Sequence, residues 1–351
     1  MHREDFPIFN QDLIYFDNGA TTLKPKVLMD GIKEYYNNYC SNIHRGDYDI
    51  SLKASLEYEK AREKVAKFIN ASEINEVVFT NGTTDSINKI VFGYFKNILK
   101  ENDEVIVTKS EHASNLLPWY ELEDELGIKI KYIDLNNQYE VTLENLEKVI
   151  SEKTKVISLA HVTNVVGDVR DIKKITELAH NKNIYVLVDG AQSVPHMKVD
   201  VKDLDVDFLT FSAHKMCGPT GLGVLYGKMK YLKNTKPIIF GGGMNATFGN
   251  DGERMYKDLP DRLEAGTPNI GGAIAFGKVI EYLEKIGMDK IHEYEIELKK
   301  YLISKLKENE NIIIYNENAK SGIVTINYKD IFAQDLSIYL NKYNICTRAG
   351  N

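Results

Sequence analysis

Two short apolar runs constrain the fold of this chain more than any other feature. Ile184-Tyr-Val-Leu-Val-Asp189 and Asp207-Phe-Leu-Thr-Phe211 have the length and β-branched or aromatic character of buried strands. Yet each closes on polar residues that a packed core would reject. The first ends in Asp189, with Gln192 three residues on; the second runs into Ser212-Ala-His214-Lys215 and a glycine-rich turn through Gly218, Gly221 and Gly223. In a parallel sheet the carboxyl ends of the strands face one crevice, so these groups should converge there. A lysine in such a setting is poised to lose its proton and attack a carbonyl. An aspartate on the neighbouring strand is the partner a pyridinium nitrogen requires. Taken alone, the same two residues also suit a surface lysine and a helix-capping aspartate.

The remaining strand-like runs are 76–80, 104–108, 129–134, 155–160 and 223–226, with helical stretches such as Ser86–Leu99, Leu143–Ile150 and Ile172–His180 between them. Mostly apolar strands alternating with helices predict an α/β fold with a largely parallel sheet covered on both faces. Helices at 25–36 and 52–69 precede this region. Beyond the glycine run Gly241–Gly243, long helices at 273–286 and 288–309 and short strands at 311–315 and 322–327 read as a smaller α+β domain. The predicted division is an N-terminal segment 1–15, a large domain 16–255 and a small domain 256–351. A chain of 351 residues that is 43% hydrophobic can build such a core. A net charge of -7 with both signs interspersed gives no sign of nucleic-acid binding. No apolar run is long enough to span a bilayer, and the polar start does not resemble a signal peptide. Three cysteines, Cys40, Cys217 and Cys346, lack the spacing of a disulfide framework or a zinc site, which suits a reducing cytoplasm.

Other polar groups follow other strands. Thr80-Asn-Gly82-Thr83-Thr84-Asp85-Ser86 lies where a strand gives way to a helix, a place for an anion or simply for an N-cap. His112 follows the run ending at Thr108 and could stack on an aromatic cofactor or serve structure alone. Asn164 follows the run ending at Ala160, where it offers an amide to a ring hydroxyl or holds a turn. Arg262 and Arg348 could bind a carboxylate in bidentate fashion if they face the crevice, or lie on the surface.

From about Ile14 to its last residue the chain resembles the class V aminotransferase family of fold-type I pyridoxal-phosphate (PLP) enzymes, and within it the group II cysteine desulfurases (SufS type, also acting as selenocysteine lyases). The likeness rests on Asp189-Gly-Ala-Gln-Ser-Val-Pro-His196, Phe211-Ser-Ala-His-Lys-Met-Cys-Gly-Pro-Thr-Gly-Leu-Gly223 and Arg262-Leu-Glu-Ala-Gly-Thr-Pro-Asn269. Glu111-His112 and Phe79-Thr-Asn-Gly-Thr-Thr84 stand in the expected order. The resemblance implies a large domain with a mostly parallel seven-stranded sheet. It implies that Lys215 forms a Schiff base with PLP, that Asp189 pairs with the pyridinium nitrogen, that His112 stacks on the ring and that Gln192 contacts its phenolic oxygen. Thr83, Thr84, Ser212 and His214 would hold the phosphate, with Thr267 supplied by a second subunit. Ala20, Asn164 and Arg348 would meet the substrate, L-cysteine or selenocysteine. Asn42, His44 and Arg45 match a loop that reaches the partner's site, so a homodimer is expected, with a sulfur-acceptor protein as a possible further partner. No metal is implied.

In the desulfurases an Arg-x-Gly-x-x-Cys pattern supplies the cysteine that carries sulfur as a persulfide. Here Arg348-Ala-Gly350-Asn351 begins that pattern, so the cysteine is expected beyond Asn351, on a longer protein, and the 351 residues alone are expected to bind PLP but to be impaired as a desulfurase. Cys346 precedes the arginine, and strand alternation turns it away from the face Arg348 uses. Cys217 suits a small buried filler better than a reactive thiol. The rival expectations are a class V aminotransferase or lyase that needs no cysteine, and a catalytically silent member acting as a binding partner.

Overall fold

The computed structural model describes residues 3–44, 46–248 and 253–350. The N-terminal part contributes β1 (Ile14–Tyr15), α1 (Lys26–Asn38) and α2 (Asp49–Phe68). Next come β2 (Val77–Thr80), α3 (Thr83–Gly93), β3 (Glu104–Val107), α4 (Leu117–Leu126) and β4 (Lys129–Tyr132). They are followed by α5 (Leu143–Val149), β5 (Thr154–Ala160), α6 (Ile172–His180), β6 (Tyr185–Asp189), α7 (Val201–Leu204), β7 (Phe208–Ser212), β8 (Gly223–Gly227) and α8 (Met229–Leu232). Seven of these strands form one sheet in the order β2-β8-β7-β6-β5-β3-β4. The ladders β4-β3-β5-β6-β7 are parallel, and β8 runs antiparallel to both β7 and β2. The expected seven-stranded, mostly parallel sheet is thus present. Its central strands β6, β7 and β8 are almost entirely buried, which is why they read as unbroken apolar runs rather than alternating ones.

The helix expected over 86–99 starts three residues earlier and ends at Gly93, with a 3-10 turn at Phe95–Asn97. Gly82 (φ +151°) turns the chain from β2 directly into α3. Past the glycine run, β9 (Asn245–Phe248) and β10 (Arg254–Tyr256) pair antiparallel, a ribbon the sequence reading did not anticipate.

The chain then builds α9 (Ile270–Ile286), α10 (Met288–Leu306), β11 (Ile312–Tyr315), β12 (Thr325–Tyr328), α11 (Ala333–Asn341) and β13 (Ile345–Cys346). A division at 255/256 assigns α9 to the small domain, but α9 packs on α1 and α2 and shares one continuous core with the sheet. Its Ala273, Ala275 and Gly277 let those helices approach, with the position of a Cβ on Gly277 3.0 Å from the Ala61 methyl. At the far end β13 returns to pair in parallel with β1, bringing the C-terminal segment beside Asp17. No helix among the described residues is long and apolar enough to cross a membrane.

Candidate active site

Because β2, β5, β6 and β7 run in one direction, Thr80, Ala160, Asp189 and Ser212 all close at the same edge of the sheet. Ala160 pairs with Asp189, and Asp189 with Thr210. Lys215 ends the 3-10 turn Ala213–Lys215 that leaves β7. Burial draws its ammonium below the ordinary lysine range, opposed by the Asp189 carboxylate and assisted by Arg348. Both charges therefore lie near enough to act on the lysine. Burial pushes the Asp189 carboxyl up to about 6, against the Ala191 N–H, which donates to Oδ1 at 2.9 Å, and the Lys215 charge. A carboxylate so placed is short of positive charge.

Next to this pair lies a cluster of hydroxyls. Ser212 Oγ accepts the Thr83 N–H at 2.8 Å and lies 2.8 Å from Thr83 Oγ1; Thr84 Oγ1 is 2.7 Å from Ser114 Oγ. Gly82 is needed for its φ, and Gly223 on β8 for lack of room, since a Cβ on Gly223 would lie 2.4 Å from the Gly82 Cα. His112 caps the turn Ala113–Asn115: its Nδ1 accepts the Ser114 N–H at 3.1 Å, which leaves the ring proton on Nε2. Burial and the Lys215 charge lower its pKa, which favours the neutral imidazole. His214 is likewise depressed by burial, with Lys215 and Lys24 adding to the shift.

Gln192 is buried; its Nε2 donates to the Gly19 carbonyl at 2.7 Å, while its Oε1 has no partner among the described residues. Ala20 follows Gly19, so the Asp17–Ala20 turn borders the crevice. Arg348 closes the same side with a bidentate pair to Asp17, at 2.9 Å from Nε to Oδ1 and 2.8 Å from Nη2 to Oδ2. Asn164 is exposed on the loop after β5.

Three features fit the PLP that the resemblance implies. Asp189 is a buried carboxylate able to match a pyridinium, Gln192 Oε1 is an unpartnered buried acceptor for a ring hydroxyl, and the Gly82–Thr84 turn with Ser212 is a hydroxyl-lined cradle with no room for a Cβ on Gly223.

Thr267, Asn42 and His44 come together elsewhere. They line a shallow cleft with Glu264, Gly266 and Lys257, and no residue of the Lys215 crevice lines it. Arg45 lies outside the described residues. His44 (φ +63°) donates its N–H to Ser55 Oγ at 2.9 Å and has Nε2 3.4 Å from Glu59.

Sequence reasoning missed the supports beneath both places. Under the crevice, Glu111 and Arg170 form a fully buried pair that also binds Thr108, Ser110, Asn115 and both backbone groups of Ala160. The one available signal was that Glu111 stands directly before His112 just past a strand-like run, in a mostly polar stretch from Thr108 to Asn115. Cys217, at φ +63°, packs partly buried against the core, with its thiol pKa raised by burial, as a filler does.

The aminotransferase class-V family model matches residues 14–351. Among curated relatives, the chain is 42% identical to a probable cysteine desulfurase of Halalkalibacterium halodurans, covering 99% of this chain and 86% of that one. It is 40% identical to another from Synechocystis sp., covering 99% and 85%. Among solved structures, the apo cysteine desulfurase of Thermococcus onnurineus superposes with a TM-score of 0.95 at 38% identity, covering 99% of this chain and 86% of that one. The S-sulfonic acid form of an Escherichia coli cysteine desulfurase gives 0.93 at 33%, covering 99% and 87%. A crevice built from strand ends around Lys215 and Asp189, carried by a sheet shared with these enzymes over nearly its whole length, places this chain in the aminotransferase class V family.

Proposed function

We propose that this protein is a PLP-dependent cysteine desulfurase that converts L-cysteine to L-alanine and hands the sulfur on as a persulfide for iron–sulfur cluster assembly. The observation that carries the reading is that the buried Asp189 carboxylate and Lys215 leave neighbouring parallel strands at the same edge of the sheet. Bound PLP supplies an electron sink for the pair released at the substrate Cα. Lys215 would hold the cofactor, and as a neutral amine it would take the Cα proton of the substrate. Asp189 keeps a proton on the ring nitrogen. His112 would cover the ring, and Thr83, Thr84, Ser212 and His214 would bind the phosphate. Arg348 and Asn164 hold the substrate. The cysteine thiolate expected beyond the Arg348-Ala-Gly350 motif would attack the substrate sulfur, the carbon–sulfur pair staying with carbon, and protonation would give alanine.

That Thr267, Asn42 and His44 gather in a cleft apart from Lys215 supports the reading that they serve the crevice of a second copy in a homodimer. Borohydride reduction followed by mass spectrometry should find PLP on Lys215, and L-cysteine with a thiol reductant should yield alanine and sulfide. Absence of the reduced adduct would remove the whole reading. Co-expression of Lys215→Ala with Thr267→Val, each impaired alone, should restore roughly a quarter of the activity through mixed dimers with one intact site. No restoration would place Thr267 in the site of its own chain or outside the site altogether.

A further inference from the structure

The turn that carries Lys215 is clasped by the segment after β1. The His214 carbonyl, one bond before Lys215 N, receives four donors. These are the Thr22 N–H, the Thr21 and Thr22 hydroxyls, each at 3.1 Å, and the Lys24 ammonium at 2.7 Å. A carbonyl has two lone pairs, so four donors hold it from all sides, and the charged one makes the shortest contact. On the other side of Lys215, the Cys217 N–H donates to Thr22 Oγ1 at 2.7 Å. Thr22 therefore grips the chain both before and after Lys215. The second grip matters because Cys217 occupies the left-handed region at φ +63°, which a non-glycine residue holds only when its surroundings enforce it.

Lys24 is half-buried, and its other bond is to Thr21 Oγ1 at 3.5 Å, which itself lies 3.2 Å from His214 Nδ1. Burial draws the Lys24 pKa down to about 8, a cost borne where the ammonium faces a carbonyl.

We propose that Thr22 and Lys24 are positioning residues for Lys215: they fix the backbone on both sides of it, so that its amine is presented to the crevice above Asp189. The inference rests on the proposed role of Lys215, and the test separates the two. In PLP-free protein, hydrogen exchange over residues 213–218, followed by mass spectrometry, should speed up in Thr22→Val and in Lys24→Met. It should return toward the native rate in Thr22→Ser and Lys24→Arg. This readout does not depend on PLP reacting at all.

In the holoenzyme, the same two variants should lower kcat about tenfold with KM within about twofold. The rate at which added PLP becomes reducible onto Lys215 should fall by a similar factor, because a misplaced amine loses alignment rather than affinity. Lys26→Met, an exposed lysine paired with Asp30, should leave all three readouts unchanged. Exchange at native rates in both Thr22→Val and Lys24→Met would overturn the clasp, as would faster exchange with unaltered kcat and PLP reaction. Faster exchange in a protein whose wild type never takes up PLP would keep the clasp and discard the desulfurase reading.

Discussion

Arg170 and Arg62 are both fully buried and both answered by a glutamate, yet they tie together different sets of elements. Arg170 is satisfied within one edge of the sheet: Asp168, Glu111, the Ala160 carbonyl, Thr108 and Ser110 take its donors, and all lie at or just past the ends of β3 and β5. Arg62, on α2, joins separate elements. It reaches the Val77 carbonyl on β2, Glu264 before α9, and Glu59 on its own helix, while Glu264 also accepts from Tyr58 and the Phe79 N–H. Burial alone would raise Glu59, but His44 and Arg62 outweigh it and hold its pKa at about 2, so this network ends at the cleft loop. The first pair fixes one strand end beneath Asp189; the second fixes how three elements meet beneath Thr267 and His44. Chemistry should therefore fail from the first region and assembly from the second.

The largest separation of the two should come from Asp189→Asn. It removes the charge that retains the ring proton while leaving the Ala191 contact an acceptor, so kcat/KM should drop about a thousandfold with the dimer intact. Steady-state kinetics and sedimentation check both halves. Near-native turnover would mean that the carboxylate is structural.

Arg170→Met and Arg62→Met should each cost roughly 3–5 kcal/mol in urea unfolding, since each strands a buried carboxylate. What should differ is the remainder. Stabilised by low temperature, the Arg170 variant should remain dimeric with weakened PLP binding, whereas the Arg62 variant should dissociate. If both dissociate alike, the division of labour between the pairs is wrong.

The strand ends of the crevice were legible because function there breaks a pattern. Asp189, Ser212, His214 and Lys215 close apolar runs that no core would end that way. The supports were not legible. Arg170 and Glu111 are 59 positions apart, and Thr22 meets Cys217 across 195, so no periodicity links them. The ribbon of β9 and β10 hid for another reason: the described residues of β10 are all exposed, so it carries no buried face to set an alternation. Helix α9 was legible over 273–286, but its packing against α1 and α2 through Gly271 and Gly277 was not, because no local pattern reports contacts so distant in sequence.

A further distinction comes from pH. In PLP-free protein the Asp189 carboxyl, at about 6, binds its proton more tightly than in the unfolded chain. Its contribution is therefore complete below the ordinary carboxylate range and lost as pH rises through about 6. The stability of wild type relative to Asp189→Asn should fall by about 3 kcal/mol between about pH 4 and about pH 7. Saturating PLP should abolish the fall by matching the carboxylate with a pyridinium. A difference that does not vary with pH would show that Asp189 is solvated.

The smallest effect concerns the rim. Arg348 spends its fork on Asp17, and its side chain is 66% exposed, so the pair contributes about 1 kcal/mol or less. A substrate carboxylate bound by Arg348 must take the place of Asp17, which makes Asp17 a built-in competitor of the same charge and geometry. Asp17→Asn should then lower KM for L-cysteine about two- to fivefold with kcat unchanged, while Arg348→Lys, which loses the fork, should raise it. The two substitutions pull in opposite directions only if the guanidinium changes partners on binding. Were Asp17→Asn to raise KM instead, the pair would be a strut that holds the end of β13 against the crevice, and the substrate carboxylate would have to be met by another group.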